Sequence, residues 1–203
     1  MSEPAHAEPA RTESVRVAVV YHSGFGHTEV VARSVAEGVE RSGVAGAALF
    51  GVDDLPDPKA HAEAWAPLHE ADAIAFGSPT YMGSVSAEFK AFIDRTSAFW
   101  FDQPWRGKLG AGFTNAGALD GDKRIALSVL QAFTAQHGML WVPAGFMPND
   151  PKGVNRLGSY AGLMTQADNG PAETTPPEED HESARRFGGW IAQCAARWMR
   201  GEA

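Results

Sequence analysis

The sequence predicts a single α/β domain with a doubly wound, five-stranded parallel sheet in the order 2-1-3-4-5. Short apolar, β-branched runs alternate five times with segments of helical spacing, and right-handed crossovers leave few topologies for such a pattern. A length of 203 residues with 44% hydrophobic content suits one compact domain. We expect residues 14–203 to form this domain and the Pro/Glu/Ala-rich residues 1–13 to form a disordered tail.

The first unit consists of a strand, a glycine-bearing loop and a helix. The run from Val15 to Val20 is nearly continuously β-branched, which is typical of a strand buried on both faces. After the loop, apolar residues recur at helical spacing from Val30 to Val39. The helix is expected to end near Ser42-Gly43.

The remaining elements follow the same alternation. The sequence predicts strands at 45–52, 71–78, 108–114 and 139–142, helices at 86–95, 123–137 and 183–200, and a Pro-punctuated connection at 56–70. Pro79 is expected to stop the third strand. Residues 144–182 have no strong periodicity, and a loop of that length predicts a lid or a subunit contact.

Composition excludes several classes of function. The chain has 25 acidic and 17 basic residues, so its net charge of −8 argues against general binding to nucleic acid or to anionic membranes. No apolar run approaches the roughly 18 residues that cross a membrane, and the first ten residues do not resemble a secretion signal. The single cysteine, Cys194, rules out an intramolecular disulfide and suits the cytoplasm. No metal site is predicted.

The predicted topology also locates a binding site. In an open parallel sheet, ligands bind beyond the carboxyl ends of the strands, where the strand order reverses. In this sheet that point lies between the first and third strands. The nearby loops at 21–29, 78–86 and 114–122 are all rich in Gly, Ser, Thr or Asn.

The first of these loops has the composition of an anion site and contains Ser23, Gly24, Phe25, Gly26, His27 and Thr28. Its glycines allow close backbone approach, and the following helix points its free N–H groups at the site. The loop has no Lys or Arg, so neutral donors would hold the phosphate of a mononucleotide. Glu29 replaces the third glycine of a dinucleotide fingerprint, and the Gly-Lys-Ser/Thr ending of a P-loop is missing. The alternative is an ordinary strand-to-helix turn with Thr28 near the cap.

The second loop contains Pro79, Thr80, Tyr81, Met82 and Gly83. Tyr81 and Met82 would supply a wall for a flat amphipathic ring such as a flavin, with backbone N–H groups for its polar edge. The alternative is a turn with a chance aromatic. A hydrolase interpretation of 83–87 fails because the final glycine of the nucleophile elbow is absent.

The third loop contains Asn115, Ala116, Gly117, Ala118, Leu119 and Asp120. Two further residues remain open to interpretation. Trp100 belongs to an aromatic cluster that is core or interface more often than not, although beside a flavin it would stack on a planar substrate. His137 is either a favourable cation at a helix C-terminus or a proton relay at the flavin edge.

Four segments together resemble the flavodoxin-like, WrbA-type NAD(P)H:quinone oxidoreductases. They are Tyr21–Glu29, Phe76–Gly83, Gly107-Lys108-Leu109 and His137-Gly138-Met139. The resemblance extends from about residue 15 to residue 142. It implies a flavodoxin-like fold and FMN as cofactor, with residues 23–28 at the phosphate, 80–82 beside the isoalloxazine and 115–120 along its other edge.

The resemblance also implies an activity. NAD(P)H would reduce FMN and leave, and the reduced flavin would deliver two electrons to a quinone or a similar planar acceptor. Phe25 matches an aromatic that contacts the nicotinamide nucleotide, Trp100 matches one near the quinone, and His137 stands where the family places a histidine against the flavin. Trp100 and His137 are therefore the predicted catalytic residues, in a cytoplasmic homodimer or homotetramer.

The third loop departs from the family pattern. Family members have a glycine run ending in Gly-Gln-Glu, whereas this chain has Leu119-Asp120-Gly121-Asp122-Lys123. The change alters the shape and charge above the ring, and the resemblance therefore does not single out a simple benzoquinone as substrate. The alternatives are an electron-carrier flavodoxin, a non-catalytic FMN-binding partner protein, and a related FMN-dependent reductase of azo compounds, nitro compounds or a biosynthetic quinone.

Overall fold

The computed structural model describes residues 14–148 and 150–201, so the predicted tail at 1–13 lies outside the described residues. The elements in chain order are β1 Val15–Tyr21, α1 His27–Arg41, β2 Ala45–Gly51, α2 Ala66–Glu70, β3 Ala73–Tyr81, β4 Ser84–Val85, α3 Ala87–Arg95, β5 Leu109–Ala116, α4 Lys123–Gln136, β6 Leu140–Trp141, β7 Leu163–Gln166 and α5 Glu178–Arg200. Short 3₁₀ turns occupy Val52–Asp54, Ala62–Trp65 and Thr96–Asp102. None of the helices in these ranges is long and apolar enough to cross a bilayer.

The predicted strand order is confirmed. The parallel strands lie in the order β2-β1-β3-β5-β6, with Val17 opposite Ala73 and Ala73 opposite Leu109. Two apolar cores cover the two faces of the sheet: α1 and α5 pack on one face, and α3 and α4 pack on the other. This arrangement explains why β1 and β3 read as continuous apolar runs, since strands covered on both faces bury every side chain.

The third strand does not stop at Pro79, as the sequence predicted, but continues to Tyr81. The Gly77 carbonyl faces β1, where it accepts a hydrogen bond from the His22 N–H at 3.0 Å. Residue 79 lies two positions further and faces the same side, beyond the last paired residue of β1. A proline is tolerated there because its missing N–H has no ladder partner to lose.

The fifth strand position is shared by two short strands. β6 pairs with the start of β5 and β7 with its end, so the predicted strand at 139–142 is seen only as Leu140–Trp141. The segment predicted to be a lid or subunit contact, 144–182, therefore contains a strand of the sheet. Four residues are too few to produce a visible periodicity.

The closing helix begins at Glu178, five residues earlier than predicted. Glu178, Glu179 and Asp180 form its first turn directly after Pro177, and acidic residues are favourable at that end of a helix. This acidic turn was the signal that the periodicity argument did not use.

Candidate functional site

A cavity of about 670 Å³ opens at the carboxyl ends of β1, β3 and β5, at the reversal of strand order. Its volume lies within the range of small-molecule and cofactor sites. The three predicted loops and a fourth segment line it. The lining residues are Ser23, Gly24, Phe25, His27, Thr28, Pro79, Thr80, Tyr81, Asn115, Ala116, Gly117 and residues 167–171.

The first loop presents unused hydrogen-bond donors to this cavity. α1 begins at His27 without a side-chain cap, and its N-cap Gly26 has the positive φ of 86° that favours glycine. In the described part of the chain, the N–H groups of residues 25–28 have no hydrogen-bond partner. The Ser23 hydroxyl accepts from the Glu29 N–H at 3.1 Å, which ties the loop to the helix. No lysine or arginine is among the described lining residues, so neutral donors and the helix dipole would hold an anion here.

The first and second loops meet through a glycine. A Cβ atom at Gly24 would lie 2.6 Å from the Tyr81 hydroxyl oxygen, which leaves no room for a larger residue. Phe25 and Tyr81 pack edge to face with ring centroids 6.2 Å apart. Burial raises the pKa of the Tyr81 hydroxyl, with a smaller contribution from Glu88, so the group is neutral at pH 7. The two rings form an aromatic wall beside the anion site.

The third loop is held from behind by side chains. Gln166 Nε2 donates to the Gly117 carbonyl at 2.9 Å, and Lys123 Nζ donates to the Ala118 carbonyl at 2.6 Å. The Thr165 hydroxyl donates to Asn115 Oδ1 at 2.9 Å, so the amide nitrogen of Asn115 remains available to donate to a ligand. These bonds fix the cavity wall at the end of β5.

Sequence reasoning missed the fourth wall, residues 167–171, which follows β7. This rim is anchored to the first loop by a hydrogen bond of 2.9 Å between His27 Nε2 and the Gly170 carbonyl oxygen. Within the rim, the Gly170 N–H donates to Asp168 Oδ1 at 2.8 Å. The Asp-Asn-Gly-Pro composition of 168–171 is a turn signal, but only the pairing of β7 with β5 brings it to the cavity.

Several predicted residues lie beside the cavity without lining it: Gly26, Met82, Gly83, Ala118, Leu119 and Asp120. Met82 and Gly83 form the turn between β3 and β4, both with positive φ, and the Met82 side chain is fully exposed. Leu119 is also exposed. The third loop turns away from the cavity after Gly117.

The two predicted catalytic residues do not lie at the cavity in this chain. α4 runs antiparallel to the strands, so His137 follows its end at the amino edge of the sheet, where the Gly138 carbonyl accepts from the Gly107 N–H. β5 spans roughly 23 Å from this edge to the cavity at about 3.3 Å per residue. Trp100 lies beside His137, and its Nε1 donates to the Gln136 carbonyl at 2.8 Å. Within one chain, the topology separates these two residues from the three loops.

His137 is neutral, which also excludes the alternative role of a helix-end cation. Its Nε2 lies 2.9 Å from the Thr96 hydroxyl, whose own proton goes to the Ile93 carbonyl, so Nε2–H is the donor. Nδ1 is buried and has no partner in the described ranges. The ring lies among Trp105 and Phe133, with centroids at 4.6 and 5.1 Å, and this burial lowers the pKa of His137 to about 4.

A cavity of this size at the switch point of a 2-1-3-4-5 sheet, with an anion site at a helix N-terminus, defines a flavodoxin-like nucleotide-binding domain. The chain belongs to the NADPH-dependent FMN reductase family, whose sequence model matches residues 15–151. It is 36% identical over 184 residues to flavodoxin FldP of Pseudomonas aeruginosa (strain UCBPP-PA14), which covers 88% of this chain and 95% of that protein.

Solved structures agree with this assignment. The crystal structure of the flavodoxin, WrbA-like protein from Agrobacterium tumefaciens is 38% identical, with a TM-score of 0.71 over 91% of this chain and 99% of that one. A flavodoxin from the domain Archaea is 23% identical with a TM-score of 0.62, over 89% of this chain and 99% of that one, and supports the fold alone. The flavodoxin-like fold class predicted from sequence is confirmed.

Proposed function

We propose that this protein binds FMN and transfers two electrons from NAD(P)H to a quinone or similar planar acceptor, as a WrbA-type oxidoreductase. The observation that carries the proposal is the row of unpartnered N–H groups at residues 25–28, facing a cavity without cationic lining. Such a site suits the phosphomonoester of a mononucleotide. Family membership supports FMN as the ligand and a nicotinamide nucleotide as the reductant.

The residues present fit this cofactor. Ser23, Thr28 and the N–H groups between them would hold the phosphate, and Phe25 and Tyr81 would flank the ring. Asn115 would donate to a polar edge of the ring. When bound, FMN supplies hydride acceptance and two-electron transfer. The protein would orient the ring at the carboxyl ends of the strands, and the two substrates would reach the ring in turn through the cavity.

Thr28→Val is expected to weaken FMN binding by roughly 10- to 100-fold, because a hydrogen bond to a charged acceptor contributes about 1.5–3 kcal/mol. Thr28 is buried and lines the cavity, and valine has nearly the same shape without the hydroxyl. The dissociation constant is measured by quenching of flavin fluorescence. Thr28→Ser keeps the hydroxyl and is the matched control. Equal affinity of the valine variant and the wild type would mean that the phosphate binds elsewhere.

The reaction is tested by mixing the FMN-loaded protein anaerobically with NADH and NADPH in a stopped-flow instrument, followed by a panel of quinones. We expect the flavin to bleach with one of the nucleotides and to recover its colour with a quinone. A flavin that stays oxidised with both nucleotides would overturn the enzymatic proposal.

An electron carrier is the second candidate, because three observations favour it. The net charge is −8, as carriers tolerate, and neither Trp100 nor His137 lies at the cavity. The relative from Pseudomonas aeruginosa is itself called a flavodoxin. A carrier would bind FMN but stay oxidised in the same anaerobic experiment. A non-catalytic partner protein would purify without yellow colour even with added FMN.

The catalytic roles of Trp100 and His137 stay predictions, as do the homo-oligomer and the cytoplasmic location. Trp100 could contact the acceptor only if a homo-oligomer brings Trp100 of a second copy to the cavity. In that case Trp100→Ala is expected to weaken quinone turnover but to leave FMN affinity within about twofold of wild type, because its side chain does not line the cavity of its own chain. Turnover assays and FMN titration of the same preparation separate the two effects. Equal losses of both would count against Trp100 as a wall for the acceptor.

A further inference from the structure

Lys123 is a buried lysine close to the candidate FMN site. It begins α4, has no exposed surface, and donates from Nζ to the Ala118 carbonyl at 2.6 Å. Lysines are almost never fully buried unless they are paired. In the described part of the chain, no carboxylate lies within ion-pair distance of its ammonium group. The ammonium charge of Lys123 is therefore not neutralised by a directly paired carboxylate, whereas buried charges usually are.

The nearest charged groups do not neutralise this site. Asp180 on α5 is the acidic group that most favours the charge of Lys123, but it already accepts two hydrogen bonds from Arg156, at 2.8 and 2.9 Å. The Gln166 N–H also donates to Asp180, at 2.8 Å. Asp120 in the third loop contributes less. Asp120 is exposed, so water screens its charge, and Asp180 is the only one of these two carboxylates that is buried. Asp180 faces both Lys123 and Arg156, so it neutralises the Lys123 ammonium only in part.

The Lys123 ammonium contacts a residue that is next in sequence to a residue of the cavity wall. Ala118, which accepts from Lys123, directly follows Gly117, which lines the cavity. Hydride transfer to FMN adds two electrons and one proton, so the reduced ring carries one more negative charge than the oxidised ring. Charges interact strongly in a protein interior, so a buried cation that is only partly neutralised would favour the more negative form of a cofactor bound in the adjacent cavity.

We propose that Lys123 tunes the redox properties of this site: its buried ammonium strengthens the binding of reduced FMN relative to oxidised FMN, and so raises the reduction potential of the bound cofactor. The inference rests on the proposed FMN binding.

The charge of Lys123 is also sensitive to pH. Burial lowers its pKa to about 8, Asp180 and Asp120 oppose that effect, and Arg156 adds to it. The ammonium is therefore largely present at pH 7 and largely absent at pH 9.5. The effect of Lys123 on the reduction potential of bound FMN should therefore be present at pH 7 and largely lost at pH 9.5.

The test compares dissociation constants for oxidised FMN and for chemically reduced FMN under anaerobic conditions, at pH 7 and pH 9.5. At pH 7 we expect Lys123→Gln to lower the ratio of oxidised to reduced dissociation constants by roughly tenfold, which equals about 30 mV for a two-electron couple. At pH 9.5 the difference from wild type should nearly vanish. Arg124→Gln removes a neighbouring exposed cation and is the matched control, with an unchanged ratio.

Lys123→Met serves as a second variant, since replacing a buried charge by an apolar side chain is often neutral or stabilising. Both variants should give the same lowered ratio. An unchanged ratio in either, or an equal loss of affinity in both oxidation states, would overturn the tuning role and leave Lys123 only as a support of the loop. Failure of the wild type to bind FMN at all would overturn the proposed function instead, and the tuning with it.

Discussion

Gly188→Ala is expected to lower the free energy of unfolding by about 3 kcal/mol or more. A Cβ atom at this position would lie 1.9 Å from the Val35 carbonyl oxygen and 3.0 Å from the Val39 nitrogen, both backbone atoms of α1. On the facing helix, a Cβ at Gly38 would lie 1.9 Å from the Arg185 carbonyl oxygen. Backbone atoms cannot yield by changing rotamer, so alanine forces α1 and α5 apart and opens the core beneath them.

The matched control is Gly189→Ala on the same helix. Its added Cβ would meet the Gly38 carbonyl oxygen at 3.4 Å, an ordinary contact, and alanine is favoured over glycine in helices by up to about 1 kcal/mol. We therefore expect Gly189→Ala to be neutral or slightly stabilising. Chemical denaturation followed by circular dichroism measures both variants. A Gly188→Ala variant as stable as wild type would show that the two helices can separate without loss.

The second large effect is a loss of stability in acid that depends on His137. The pKa of His137 is lowered to about 4 in the folded protein, from 6.5 in an unfolded chain. Between these values the unfolded chain binds more protons than the folded one, so stability is complete above pH 6.5 and falls as the pH drops towards 4. The loss attributable to this residue is about 3 kcal/mol. Its physical cause is a buried Nδ1 that would gain a proton and a charge without an acceptor.

His137→Phe should reduce this acid sensitivity, because an aromatic ring can occupy the pocket beside Trp105 and Phe133 without titrating. Part of the sensitivity should persist, since burial also lowers the pKa of His69. Unfolding free energies at pH 7, 5.5 and 4.5 give the comparison, with His61→Phe at an exposed site as control. The assignment fails if the His137→Phe variant loses as much stability as wild type over that range.

The location of the candidate site could be predicted from sequence because the signals were local. The run Val15–Val20, the loop Ser23–Thr28 and the segment Pro79–Tyr81 each encode a strand end or a helix start within a few residues. Once the strand order is known, parallel pairing brings these ends to one edge. In the structure the first loop, apart from Gly26, and the segment Pro79–Tyr81 line the same cavity, together with Asn115, Ala116 and Gly117.

Other features depended on contacts between distant parts of the chain. The rim at 167–171 reaches the cavity only through the pairing of the four-residue strand β7 with the end of β5. Lys123 reads from sequence as an ordinary residue at a helix start, and only the packing of the third loop over it makes it a buried charge.

By itself, the sequence determined the α/β alternation, the strand order and the edge of the sheet at which the candidate cavity lies, because periodicity and turn chemistry act over a few neighbouring residues. Only the tertiary structure decided that His137 and Trp100 lie at the opposite edge of the sheet, that residues 167–171 line the cavity, and that the Lys123 side chain is buried away from solvent. Burial and distance in space are set by how the elements pack, and no short stretch of sequence encodes them.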